Sequence, residues 1–245
     1  MWTDEREKDR KKLLNITLQN IDIQSLNSYN LYAMVTYENK GFRFLPKNLI
    51  IFTLKIFDRL SLFFVELKIN PNHLSLVGLI AGLLVGLFYA LGYPVWALVF
   101  LLISGMMDIL DGKVATNGNR KTRFGAVFDS SLDRYSEFAM YLGLGFYFRH
   151  HWILWVLALA FLGSTMVSYT KARAEGLGLQ CQLGIMQRAE RLVLLILGTV
   201  VGLIIQRFDQ TMIITIIILA LASNLTAIQR IIFVYRQDRQ EGNKY

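Results

Sequence analysis

From residue 69 onward the chain alternates long apolar blocks with short polar interruptions. The first block, "INPNHLSLVGLIAGLLVGLFYALGYP", breaks at Pro71 and then runs almost without charge. Five more follow at about 95–116, 125–148, 152–174, 189–206 and 211–235. Blocks of about 18 or more nearly uncharged residues predict transmembrane helices, because about 20 helical residues cross the hydrocarbon of a bilayer. Asn72 or Ser75 is placed to cap the first of them. Gly78, Gly82 and Gly86 recur at i, i+4 along it, so one face is small enough for close helix contact in lipid.

Upstream the pattern changes. In "KNLIIFTLKIFDRLSLFFVELK", residues 47–68, the charges Lys55, Asp58, Arg59 and Glu66 interrupt the apolar positions at roughly helical spacing. A spanning helix would bury those charges, so the segment reads as an amphipathic helix in the membrane interface. Residues 1–46 are mixed, with the charge run "DEREKDRKK", and read as a cytosolic extension with a solvated start. The predicted architecture is all-α: a polytopic integral membrane protein with six transmembrane helices at 69–236, preceded by the interfacial helix and followed by a cytosolic tail at 237–245.

Composition supports this picture. With 54% hydrophobic and 18% charged residues, the 245-residue chain is too apolar for a disordered protein. Cys181 is the single cysteine, which excludes an intramolecular disulfide framework and a multi-cysteine metal site. The start "MWTDEREKDRKKLL" has no apolar run after its charges and does not read as a secretory signal peptide. The net charge of +8 raises the question of nucleic acid, but most of the basic residues flank apolar blocks, which favours membrane topology instead. Arg120, Lys121 and Arg123 lie between the second and third blocks; Lys171, Arg173, Arg188 and Arg191 lie around the turn between the fourth and fifth; Arg236, Arg239 and Lys244 follow the sixth. The alternate loops "GYP", "RHH" and "QRFDQ" carry little net charge. The positive-inside bias therefore predicts that both termini and both basic loops face the cytoplasm.

Against this apolar background stands "DILDGKVATNGNRKTRFGAVFDSSLDR", residues 108–134, with Asp108, Asp111, Asp129 and Asp133 at helix ends. Carboxylates at membrane depth are costly and point to function. Asp108, Asp111, Gly112 and Ala115 share one face of the second block; Gly125, Asp129 and Asp133 share one face of the third. A short connection makes the two helices antiparallel, so the four carboxylates converge and repel. Divalent cations relieve that conflict, and an all-oxygen set with open positions suits Mg2+ or Mn2+ bridging carboxylates to substrate phosphates. Histidine and cysteine are absent from the stretch, which argues against zinc. A two-ion arrangement would activate an attacking oxygen and stabilise a departing phosphate.

The spacing D-x-x-D-G-x-x-A, nine residues, then G-x-x-x-D-x-x-x-D resembles the signature of the CDP-alcohol phosphotransferases, with seven of eight fixed positions matched. The resemblance extends over the interfacial helix and the six blocks, roughly residues 47–236. It implies transfer of a phosphatidyl group from a CDP-linked lipid, commonly CDP-diacylglycerol, to an alcohol, with release of CMP. It further implies that Asp108, Asp111 and Asp129 hold metal, that Asp133 is metal-linked and the general base, and that the enzyme is a homodimer. Asn72, Ser75, Gly112, Ala115, Thr116, Thr122 and Gly125 would contact the donor. The family's arginine after the alanine is replaced by Thr116, and Lys113 or Arg120 is the expected source of the missing charge.

The acceptor is read from "MVSYTKARAEGLG", "MQRAERLVLL" and "AIQRIIFVYR", where Ser168, Lys171, Arg173, Arg191 and Arg230 approach the same end of the bundle. Arginines grip phosphate oxygens through paired hydrogen bonds. The same residues also satisfy the positive-inside bias, so each alone is ambiguous. Together they resemble the acceptor pocket of phosphatidylinositol-phosphate synthases. This implies a soluble phosphorylated polyol, inositol phosphate first, with glycerol 3-phosphate as the rival. Glu190 beside Arg191 is placed either to orient it or to form a purely structural pair. An ion or proton transporter is the reading from another class, but the remaining blocks carry almost no central acids to continue a pathway.

Overall fold

The structure, a computed structural model, describes residues 47–242 except 180 and 182. Among these residues there is no strand, and seven helices follow one another: α1 Lys47–Glu66, α2 Pro71–Ala90, α3 Pro94–Asn117, α4 Arg123–Tyr147, α5 Ile153–Gly176, α6 Arg188–Ile204 and α7 Phe208–Gly242. The expected interruptions are where the chain turns. Lys68, at φ 56°, ends α1, and the amide of Ile69 returns to the carbonyl of Phe64 at 3.1 Å. The cap of α2 lies earlier than expected: Asn70, not Asn72 or Ser75, accepts from the amide of Asn72 at 3.0 Å. Pro71 thus begins the helix at its first position, where the missing N–H costs nothing. Gly92, at φ 77°, permits the tight turn into Pro94, which opens α3 in the same way. Thr122 caps α4 by accepting from the amide of Gly125 at 2.9 Å.

Among the described residues, four helices are long and apolar enough to cross a membrane: α2, α3, α5 and the Phe208–Arg239 part of α7. The other two expected spans depart from that description for different reasons. Helix α4 has 25 residues, but Asp129, Asp133, Arg134 and Glu137 all lie in its first 15. Helix α6 has 17 residues, about 25 Å at 1.5 Å per residue, against a hydrocarbon core of about 30 Å. Helix α7 continues to Gly242, past the expected end of the last span.

Small residues set the helix contacts. A side chain at Gly82 would collide with Ser136, and one at Gly86 with the backbone of Ala139; on α4, Gly143 lies against the backbone of Gly86. Helices α2 and α4 are therefore in backbone contact, as the glycine stripe predicts. On the α3 side, Ser104 Oγ donates to the Gly78 carbonyl at 3.1 Å. Gly163 admits Asn224 of α7, whose amide donates to the Leu159 carbonyl at 2.9 Å, and Gly198 lies against Thr215. A continuous core of Val85, Tyr89, Leu101, Met140, Leu144, Ile153, Met212 and Leu219 fills the centre, with Tyr89 and Thr199 hydroxyls sharing a 2.6 Å hydrogen bond. A second cluster, Phe57, Leu74, Leu110 and Val114, seats α1 across α2 and α3. The outward faces are apolar: Leu76, Ile80, Leu83, Leu87, Trp155 and Ile204 are all exposed. Such a surface fits hydrocarbon, not water.

Candidate active site at the α3–α4 hairpin

The turn at 118–122 brings the last three turns of α3 beside the first three of α4. Asp108, Asp111 and Asp129 each present an oxygen within 4.8 Å of the others. Asp111 is buried, and its Oδ2 accepts from Ser75 Oγ at 2.7 Å, so α2 supports the cluster from beneath. Asp129 Oδ1 is buried with no hydrogen-bond partner. Such an atom in a group of like charges is a costly arrangement unless a cation completes it. Three close carboxylates, oxygen donors only and one orphaned oxygen fit a hard divalent ion.

Asp133 lies one turn beyond Asp129. Its Oδ2 is 2.7 Å from Arg188 NH1, and the same nitrogen hydrogen-bonds Asp108 Oδ1. Arg188 opens α6, so it crosses from a third helix into the cluster. Asp133 and Arg188 also line a neighbouring cleft of about 690 Å3, together with Arg134, Ser168, Lys171 and Arg230. The carboxylate cluster and the cleft thus meet at Asp133 and Arg188.

The expected donor-side residues surround the cluster. Gly112 has no heavy atom within 4 Å of where a side chain would stand, leaving open space beside Asp111. Ala115 is half-buried on the same side. At Gly125 a side chain would stand 2.9 Å from Thr122 Oγ1 and 3.4 Å from Asn72 Oδ1, so this glycine is where the cap and the start of α2 approach. Thr116 is exposed and turns back to donate to the Gly112 carbonyl at 2.8 Å. Of the two residues expected to replace its missing charge, Lys113 is ion-paired with Asp58 of α1, and Arg120 donates to the Ile69 carbonyl at 3.0 Å.

The expected acceptor residues separate. Ser168, Lys171 and Arg230 line the cleft. Ser168 Oγ accepts from Arg134, and Lys171 pairs with Glu175 at 3.8 Å. Arg230 is held by the carbonyls of Leu183, at 2.7 Å, and Val167. Arg173 is exposed and not among the cleft residues. Arg191 is only 1% exposed and spent on structure: it donates to Glu137 Oε1 at 2.6 Å, Glu137 Oε2 at 3.1 Å and the Met186 carbonyl at 3.1 Å. The expected phosphate contact of Arg191 is thus taken here by a carboxylate and a carbonyl. Glu190, expected to orient it, is not its partner; Glu137 is.

Three residues escaped the sequence reading: Arg188 as a bridge, Arg134 in the cleft wall, and Glu137. A signal for Glu137 existed, because 125, 129, 133 and 137 continue one i+4 stripe. Glu137 is buried and also accepts from Ser164 Oγ at 2.5 Å.

A sequence profile of the CDP-alcohol phosphatidyltransferase family matches residues 68–235, which holds the entire carboxylate stretch. The chain belongs to that family. Among its CDP-alcohol phosphatidyltransferase relatives, the archaetidylinositol phosphate synthase of Methanothermobacter thermautotrophicus is 36% identical over 172 residues, covering 70% of this chain and 86% of that protein. The crystal structure of Mycobacterium tuberculosis phosphatidylinositol phosphate synthase with CDP-DAG bound superposes with a TM-score of 0.67 at 27% identity, covering 74% of this chain and 94% of that one. The same enzyme in complex with manganese and citrate gives a TM-score of 0.65 at 26% identity, covering 73% and 88%. As a member of this family the protein is a metal-dependent phosphotransferase of the membrane, in keeping with its apolar helices and its cluster of aspartates.

Proposed function

We propose that the protein transfers a phosphatidyl-type group from a CDP-linked lipid to a hydroxyl of a phosphorylated polyol, inositol phosphate, and releases CMP. The observation that carries this reading is the junction at Asp133: one side chain faces both a three-carboxylate cluster and a cleft bearing Lys171 and Arg230. A donor diphosphate on the cluster and an acceptor phosphate in the cleft would place the reacting hydroxyl between them. Both kinds of relative are named for an inositol phosphate product, one archaetidyl and one phosphatidyl, so the head group is what they share.

Asp108, Asp111 and Asp129 would hold the divalent cation, Mg2+ or Mn2+, with Asp133 completing the set if two ions bind. The cation supplies positive charge that draws donor phosphate oxygens to the cluster and offsets the charge of departing CMP. Ser75 fixes the Asp111 carboxylate by its 2.7 Å hydrogen bond. Open space at Gly112, with Ala115, Thr116, Thr122, Gly125 and Asn72 around it, receives the nucleotide. Lys171, Ser168, Arg230 and Arg134 orient the acceptor through its phosphate. Asp133 takes the proton of the attacking hydroxyl while that oxygen bonds to the β-phosphorus. The bond from the β-phosphorus to the oxygen of CMP breaks, and CMP carries that oxygen away.

The membrane arrangement follows the same reading. Helices α2 to α7 provide six spans, with α4 crossing because its last ten residues carry no charge and α6 crossing with help from its flanking turns. Helix α1 lies in the interface, and residues 1–46 and 237–245 are cytosolic. The active site then opens to the cytoplasm, where acceptor and CMP are soluble, while the donor's chains remain in lipid.

The test offers the purified protein CDP-diacylglycerol, or its archaetidyl counterpart, with Mg2+ and one of four acceptors: inositol phosphate, glycerol 3-phosphate, inositol or serine. CMP release with inositol phosphate is the expected result. Release with glycerol 3-phosphate instead would move the protein to phosphatidylglycerophosphate synthesis. Failure with all four, accompanied by ion flux in proteoliposomes, would overturn the enzyme reading in favour of a transporter.

A further inference from the structure

Arg188 and Asp133 are the two side chains common to the narrow space among the aspartates and the wide cleft beside it. The other arginines around the cleft are held mainly by partners outside the aspartates. Arg134 contacts Ser168 and Glu137 and reaches Asp133 only at 4.0 Å, Arg191 is held by Glu137 and Met186, and Arg230 by two backbone carbonyls. Arg188 differs. Its ion pairs are to Asp108 Oδ1, in the cluster, and to Asp133 Oδ2 at its edge.

A divalent ion and a guanidinium cannot both take those oxygens at close range. The ion needs Asp oxygens at about 2.0–2.2 Å, and two cations that near repel. When the ion binds, Arg188 loses its acceptors and gains a like charge beside it. The cleft that its side chain already lines is the available space, and a phosphate there offers the paired acceptors that suit a guanidinium.

We propose that Arg188 couples the two halves of the site: it neutralises Asp108 and Asp133 until a divalent cation displaces it, and then serves the phosphate of the acceptor. The inference rests on reading the cluster as the cation site and the cleft as the phosphate site. Arg188 is then a positioning residue of an ordered reaction, in which the cation precedes the acceptor. Linkage makes the coupling reciprocal, so a phosphate in the cleft must also tighten cation binding.

The experiment titrates the full chain, in lipid nanodiscs without donor, with Mn2+ and follows the free ion by electron paramagnetic resonance. It is run with no addition, with inositol phosphate, and with inositol, each against a protein-free blank. For the unaltered protein, inositol phosphate should tighten Mn2+ binding about tenfold, a common size of coupling between sites, and inositol should have no effect. Arg188→Gln should bind Mn2+ more tightly than the unaltered protein without phosphate, and gain nothing when inositol phosphate is added. Arg188→Lys keeps the charge and should restore the weaker Mn2+ binding, which separates competition from a folding defect. Unchanged or weaker Mn2+ binding in Arg188→Gln, or a phosphate effect that survives in it, would overturn the proposal. CMP release is measured on the same preparations. Turnover without the linkage removes only the coupling, whereas linkage without turnover on any phosphorylated polyol removes the functional reading.

Discussion

In the proposed reaction Asp133 stands where two demands meet, since a base must reach the acceptor hydroxyl and also lie near the phosphorus that the hydroxyl attacks. Its spacing from Asp129 was legible in the sequence, because i+4 on a helix needs no tertiary information. Asp133→Asn preserves the shape of the side chain but not its basicity. CMP release should fall on the order of 10²–10⁴-fold, the usual contribution of a general base, while binding of CDP, followed by calorimetry, changes little. Turnover retained by that variant would remove Asp133 from the role. Ser75 makes a different case. Sequence alone offered it as a cap or a nucleotide contact; the fold makes it the hydrogen-bond donor to Asp111. Ser75→Ala should weaken Mn2+ binding about 10–100-fold, as loss of a ligand's supporting hydrogen bond commonly does. An unaltered Mn2+ titration would mean that the hydroxyl serves packing only.

At the level of the helices, close approach is what allows α2 to support a cluster carried by α3 and α4. The glycines of α2 were visible as a stripe, but which neighbour they meet was not. Gly82 and Gly86 face Ser136 and Ala139 of α4, while Gly78 serves α3. Gly86→Leu would force a side chain into backbone that cannot move aside. It should lower the melting temperature in detergent, with a cost of about 1–3 kcal/mol or more from overpacking. Gly105→Ala is the matched control, since nothing stands within 4 Å of the added atom. Better helix propensity should make that variant neutral or more stable by up to about 1 kcal/mol. Equal melting temperatures for the two variants would contradict the contact. The buried Arg191–Glu137 pair belongs to this level too. It ties α6 to α4, a role the sequence did not signal, because an arginine near a helix start looks the same whether its partner is a ligand or a neighbouring helix.

For the whole molecule, the distribution of charge is the basis of the proposed orientation. The α3–α4 turn carries Arg120 and Lys121, whereas the α4–α5 turn carries Arg149 beside two histidines. Cys181 is fully buried, so a surface cysteine introduced elsewhere reports alone. Asn119 and His150 are both exposed at their turns. With a membrane-impermeant maleimide, Asn119→Cys should label only in inside-out vesicles and His150→Cys only in right-side-out ones. Labelling of both from the same side would break the six-span arrangement, since α4 would then not cross.

The sequence by itself determined the helices, their approximate limits, the family and the four aspartates, because each depends on composition or on spacing within one or two neighbouring helices. Apolar runs report the solvent around a helix, and i, i+3 and i+4 offsets report its faces, both without knowledge of the fold. Tertiary structure alone decided the partners. It put Ser75 under Asp111, Asp58 on Lys113, Glu137 on Arg191, and Arg188 across Asp108 and Asp133. Those pairings join residues up to 80 positions apart. They depend on how helices far apart in sequence are laid side by side, which no local pattern records.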